Sequence, residues 1–219
     1  MTLDAGSQSP RRTVHCADAL QWLPQQALDA HESIFTSLPD SSEVRRLSFD
    51  AWTQWFRDAA EAVVRATHPD AVAIFYQTDV KRDGGWVDKS FLVQQGAQAA
   101  GARLLWHKIV CRAPAGTATG PRPGYAHLLA FSHNLRDVAE EATADVLPQL
   151  GTMTWPRAIG LAAAEAAITW LRDRAGARCI VDPFCGMGTV LAVANRLGLD
   201  AIGVELAPSR AQRARDLQV

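Results

Sequence analysis

The densest chemistry in the sequence lies at Cys179-Ile180-Val181-Asp182-Pro183-Phe184-Cys185-Gly186-Met187-Gly188-Thr189. An apolar run ends in an acid, passes two glycines and enters a stretch rich in Ala, Val and Leu. Glycine lets a backbone approach a ligand closely, and a helix start offers N–H groups that lack an intrahelical partner. In an open α/β sheet such a loop falls at the carboxyl edge, where ligands bind. A dinucleotide fingerprint would read GxGxxG; here the third glycine is missing and the acid is followed by Pro-Phe. Further on, Gly203-Val204-Glu205-Leu206 ends the next apolar run in a second acid. A carboxylate there can accept hydrogen bonds from both hydroxyls of a ribose, which suits an adenosine moiety. Two glycines alone would serve a tight turn equally well. Acids at two strand ends favour a ligand.

Something must position these groups. Short β-branched or aromatic runs alternate with longer stretches of helical period, the pattern of a mostly parallel α/β sheet with helices on both faces. Strands are expected at residues 13–16, 33–37, 72–77, 103–110, 126–132, 178–182 and 201–206, seven in all. Helices are expected at 19–30, 49–67, 89–100, 158–175 and 189–197, with one more from 210. The strands at 103–110 and 126–132 have only a Pro/Gly-rich loop between them, so they pair most simply as an antiparallel hairpin at an edge. Residues 1–12 are polar and read as a flexible tail before one domain over 13–219. With 219 residues, nearly half apolar and a formal charge of −1, no strong overall field attracts a polyanion. The four cysteines form no CxxC pair and no zinc spacing, so free thiols in a cytoplasmic protein and no metal are expected. No segment reads as a signal peptide or membrane span.

The block DPFCGMGTVLAVANRLGLDAIGVEL closely resembles the DPFxGxGTT…GxEL block of the β-class amino-methyltransferases, which include DNA adenine-N6 and cytosine-N4 enzymes. The resemblance implies a seven-stranded class I methyltransferase sheet, Rossmann-like and circularly permuted so that the cofactor strands stand at the C-terminus. It also implies S-adenosyl-L-methionine as cofactor, with Asp182, Phe184, Cys185, Gly186, Gly188 and Thr189 around its methionine half. Glu205 would then hold the ribose. Val14-His15-Cys16-Ala17-Asp18-Ala19-Leu20 is similar to the family's GDALxxL strand end, which assigns Asp18, with Ala19 beside it, to the adenine; Asp18 can equally cap the next helix. Met153-Thr154-Trp155-Pro156-Arg157 is loosely similar to a family segment that lies against the cofactor, which brings in Trp155.

The family's catalytic strand ends in (D/N/S)-PP-(Y/F/W). Here the corresponding residues are Ser37-Leu38-Pro39-Asp40, so Ser37 and Pro39 fit while Asp40 replaces the aromatic. A stacking ring contributes roughly 1–3 kcal/mol per base. A carboxylate can instead act as a general base or start a turn. Two insertions, 79–89 and 111–125, carry Lys81, Arg82, Lys89 and Arg122 with Trp86 and Tyr125 interleaved. Lys108, in a strand, is a further candidate for the substrate pocket. Cations with aromatics suit single-stranded or looped nucleic acid. The expected substrate is therefore RNA, with DNA or a small molecule as the alternative. A non-catalytic, cofactor-binding partner subunit and a homodimer both stay open.

Overall fold

The computed structural model describes residues 9–136 and 142–219. Its centre is one twisted sheet built, in chain order, from β1 (Arg12–Cys16), β2 (Glu32–Thr36), β3 (Ala73–Gln77), β6 (Arg103–Cys111), β7 (Tyr125–Ser132), β8 (Val146–Leu147), β9 (Cys179–Asp182) and β10 (Asp200–Glu205). A separate two-stranded hairpin supplies β4 (Val80–Arg82) and β5 (Gly85–Val87). In space the sheet runs β1-β10-β9-β2-β3-β7-β6-β8. The strands β1, β10, β9, β2 and β3 are parallel, and β7 is antiparallel to both β3 and β6. An α/β sheet with an antiparallel hairpin is thus observed, with an eighth, two-residue strand among the described residues where seven were expected. Pairing in parallel with β6, β8 was too short to leave a periodic signal in the sequence.

Among the described residues six helices cover the sheet: α1 (Ala19–Trp22), α2 (Phe49–Ala66), α3 (Lys89–Ala99), α4 (Leu161–Arg174), α5 (Thr189–Arg196) and α6 (Pro208–Asp216). Ser48 caps α2, and its apolar stripe of Trp52, Phe56, Ala59, Ala60, Val63 and Val64 is buried. With α3 it covers one face of the sheet, against Ile34, Phe75, Leu129 and Phe131. The opposite face carries Phe35, Ile74, Ile168, Leu171, Ile180 and Leu191. Each fully buried side chain of this size contributes roughly 1.5–3 kcal/mol. Strands buried on both faces explain why they read as continuous apolar runs.

Three local expectations are corrected. The helix expected at 19–30 ends at Trp22 and passes into a 3-10 turn, Leu23–Gln25, because Pro24 has no N–H to continue the ladder. The insertion at 79–89 is the β4–β5 hairpin, turning at Asp83-Gly84 with positive φ at both. The first strand starts at Arg12, and Arg11 is already held by Asp200 through its backbone N–H and guanidinium; residues 1–8 lie outside the described residues. Arg12 also reaches the carbonyls of Ala214 and Leu217, which closes the end of α6 onto β1. Among the described residues, no helix is long and apolar enough to cross a membrane.

Candidate active site

The carboxyl ends of four neighbouring parallel strands, β1, β10, β9 and β2, open into one cavity of about 410 Å³. Asp18, Glu205, Asp182 and Ser37 come one from each strand end and all line it. Ala19, Pro39, Trp155, Phe184, Cys185, Gly186 and Thr189 share its walls. Of the expected cofactor residues only Gly188 lies outside the lining, where it starts α5 and backs onto α6. Gly188 adopts φ 86°, and a Cβ there would stand 2.7 Å from Cα of Ala214 in α6. Gly186 adopts φ 55°, and its missing Cβ leaves the Trp155 ring close above, 3.2 Å from where that atom would be. Trp155 is fixed there by Thr154, whose hydroxyl meets that of Thr189 at 2.6 Å.

The acids differ in their surroundings. Asp182 is buried; its Oδ1 accepts from the Thr36 hydroxyl at 2.7 Å and from the Phe184 N–H at 3.1 Å. Burial outweighs both hydrogen bonds and pushes this carboxyl up to about 7. Glu205 is also raised, chiefly by burial, although its Oε1 accepts the Ala207 N–H at 2.7 Å. Asp18 accepts the Leu20 N–H at 2.9 Å, so it does cap α1 while lining the cavity. Burial raises the Cys185 thiol, which packs under Gly203.

At the cavity mouth the structure adds residues that the sequence reading missed. Glu43, six positions beyond Ser37, meets Arg157 at 3.2 Å and Arg210 at 3.7 Å. Arg210 also lies over the Trp155 ring, 5.8 Å from its centroid. Three distant chain segments are thereby tied across one opening. Arg45 and Arg46 line the cavity as well, and Trp55 meets Phe184 edge-on. The Arg-Arg pair shortly after Ser37-Leu38-Pro39-Asp40 was a readable signal. The Glu43–Arg157–Arg210 cluster was not, since nothing in sequence spacing links those positions.

The remaining expected residues are not all brought together. Asp40 is absent from the cavity lining; its Oδ1 takes the Lys89 ammonium at 2.6 Å, and its carbonyl and N–H close a turn with Glu43. The Pro39 carbonyl accepts the Trp52 indole N–H at 3.2 Å, so that atom is committed to fixing the loop. Lys89 is not a loop cation: its side chain is 4 % exposed, under the Asp40 carboxylate and over Phe56. Lys108 is likewise buried, bonded to the Thr143 carbonyl and Asp145 beside Trp106 and away from the cavity. Lys81, Arg82 and Trp86 stand exposed on the β4–β5 hairpin, with Lys81 over the Trp86 ring. Trp86 and Tyr125 border a separate groove near Gly116 and Pro123, and Arg122 is exposed in the adjoining loop.

The sequence matches no protein-family model and no curated protein. Its fold is that of solved DNA-modifying enzymes. The PvuII DNA methyltransferase, specific for cytosine N4, superposes with a TM-score of 0.73 at 16 % identity over 96 % of this chain and 88 % of that one. TTHA0409 of Thermus thermophilus, a candidate DNA modification methylase, gives 0.71 at 19 % identity over 94 % and 93 %. M1.HpyAVI, solved with SAM, gives 0.61 at 15 % identity over 94 % and 98 %. TTHA0409 has also been solved with S-adenosyl-L-methionine. None of these names gives RNA as a substrate, which leaves the expectation of RNA without support.

Proposed function

We propose that the chain is an S-adenosyl-L-methionine-dependent methyltransferase that methylates an amino group of DNA. The observation that supports this best is the set of acids at neighbouring strand ends around one cavity, with Ser37 in the same wall. The glycine turn lacks the third glycine of a dinucleotide fingerprint and faces Asp182 rather than a cation, so it is a poor cradle for the phosphates of NAD or ATP. A cation beside Asp182 removes the penalty of its buried charge, and a ribose satisfies Glu205. The residues present thus fit this cofactor. The strand order, with β1 seated beside β10, supports the reading that the sheet is circularly permuted.

When bound, the cofactor supplies a methyl group on positively charged sulfur. Asp18 would hold the adenine amino group, and Glu205 the ribose hydroxyls. Trp155 lies across the glycine turn and keeps water from that side. The Ser37 hydroxyl and the Leu38 carbonyl, both in the cavity wall, would accept N–H bonds from the target amine and so orient it. An exocyclic amine needs little help from a base, so Asp40 serves by holding the loop through Lys89. A base taken out of the stack can rest against Trp55 and Phe184, while Arg45 and Arg46 hold backbone phosphates, which position without reading sequence. Trp86, Tyr125, Lys81, Arg82 and Arg122 extend the surface that receives the strand.

The experiment is tritiated methyl transfer from S-adenosyl-L-methionine to duplex DNA, single-stranded DNA and total RNA, followed by nucleoside mass spectrometry. Label in N4-methylcytosine or N6-methyladenine of DNA is expected. Label in RNA alone would move the substrate back to RNA. Binding of NAD in preference to S-adenosyl-L-methionine in calorimetry would remove the whole reading.

A further inference from the structure

Outside the cavity, Asp79, Asp88 and His127 each offer a ligand atom, and the three atoms lie within 4.8 Å of one another. We propose that they form a site for a divalent transition ion of the zinc type, which staples the base of the β4–β5 hairpin to β7. Asp79 directly precedes β4 and Asp88 directly follows β5, so the two acids flank the hairpin stem, while His127 projects from β7.

The chemistry suits such an ion: one imidazole nitrogen with two carboxylates is a mixed N/O set, and the two negative charges balance the dication. His127 Nε2 and Asp79 Oδ2 meet in a hydrogen bond of 3.0 Å, and an ion between them would part the two atoms by only a few tenths of an ångström, to the roughly 3.3–3.6 Å of a tetrahedral centre with bonds of about 2.0–2.2 Å. Each ligand is also held from behind. Asp79 Oδ1 takes the Lys89 N–H at 2.9 Å, which leaves Oδ2 facing His127 and, at 3.4 Å, the Tyr125 hydroxyl. Asp88 uses Oδ1 to cap α3, with Ser90 at 2.6 Å and the Phe91 N–H at 3.0 Å, so its second oxygen is the one to ligate. His127 Nδ1 meets His107 Nε2 at 2.9 Å, and a ligating imidazole needs its other nitrogen fixed in this way. A second observation points to the same place. Gln77 pairs with His127 across β3 and β7, is fully buried, and neither atom of its amide finds a hydrogen-bond partner among the described residues. Residues directly opposite in a ladder project to one face, about 4.5–5.5 Å apart at Cβ. An ion with water in its remaining positions gives that amide a polar neighbour.

The test uses the untagged full chain, stripped with chelator and dialysed. Zinc titrated by calorimetry should bind with one equivalent per chain, and Co²⁺ in its place should give visible absorption bands that Zn²⁺ bleaches. Asp88→Asn keeps the α3 cap, because both residues cap well, and should lower zinc affinity at least tenfold with the fold intact by circular dichroism. Asp79→Asn and His127→Gln should do the same or more. Absence of binding by Zn²⁺, Co²⁺, Mn²⁺ and Ni²⁺ would make the cluster a hydrogen-bonded strut and overturn the proposal. So would parental affinity in both Asp88→Asn and Asp79→Asn. None of these readouts depends on methyl transfer.

Discussion

Replacing Asp182 by Asn isolates the charge of the buried acid at the end of β9. The carboxyl is raised from 3.8 to about 7, principally by burial. The folded chain therefore holds a proton there across pH 4 to 7 that the unfolded chain has released. Stability contributed by the neutral form is complete below pH 4 and is lost as pH rises toward and through 7. At 1.36 kcal/mol per unit the full cost above pH 7 is roughly 4 kcal/mol. The part that accrues between pH 5 and pH 8 is about 3 kcal/mol by the same conversion. Asn offers an oxygen to the same two donors, Thr36 and Phe184, but does not titrate. Its new amide protons cost about 1–3 kcal/mol if unpaired, equally at every pH. The informative quantity is therefore the pH dependence of the variant's stability against the parent's, read by urea unfolding at pH 5 and pH 8. Relative to the parent, Asp182→Asn should gain about 2–3 kcal/mol over that interval. Parallel pH profiles for the two proteins would show that burial does not hold the proton on Asp182.

Three further outcomes are expected. Glu205→Ala should weaken S-adenosyl-L-methionine binding more than tenfold in calorimetry, since hydrogen bonds to a charged acceptor are worth roughly 1.5–3 kcal/mol each. Gly188→Ala should lower the melting temperature by about 5 °C or more, because the left-handed turn costs about 1–2 kcal/mol for alanine and its methyl meets the backbone of α6; an unchanged melting curve would disprove the close approach. Asp40→Asn, by leaving the buried Lys89 ammonium without its counter-ion, should lower stability by about 1–2 kcal/mol, a value discounted for the partly exposed acid, and cut the transfer rate less than tenfold. A rate loss of roughly 10²–10⁴ with stability intact would return Asp40 to the role of general base.

Strand ends and the glycine turn were legible because their chemistry is local: an apolar run, an acid and two glycines occupy consecutive positions from Cys179 to Gly188. The hairpin at 80–87 was also written in the sequence, where Asp83-Gly84 sits between two short runs, a turn signal that the charged residues around it obscured. Lys89 misled for a physical reason. A lysine at the first turn of a helix reads as a solvated cation, and only the Asp40 carboxylate approaching from another loop lets the chain bury it. The same holds for Lys108 with Asp145. Asp79, Asp88 and His127, like Glu43, Arg157 and Arg210, meet only through the fold, and no spacing rule joins residues so far apart.

The contact between Gly188 and Ala214 ties the ligand loop to the margin of the sheet. α6 presses on the glycine turn from behind, and Arg12 grips the carbonyls at the end of α6 from the edge strand β1, while Arg215 returns a bond to the Val14 carbonyl at 2.9 Å. Elements tied in this way are expected to open together as one cooperative unit rather than to fray in sequence. A ligand that grips only the turn would slow amide exchange throughout α6 and β1, elements it never touches. Among the described residues β1 ends the sheet, so its outer edge is a template for pairing with another strand, and any strand that docked there would be joined through Arg12, Arg215 and α6 to the glycine turn of the cavity.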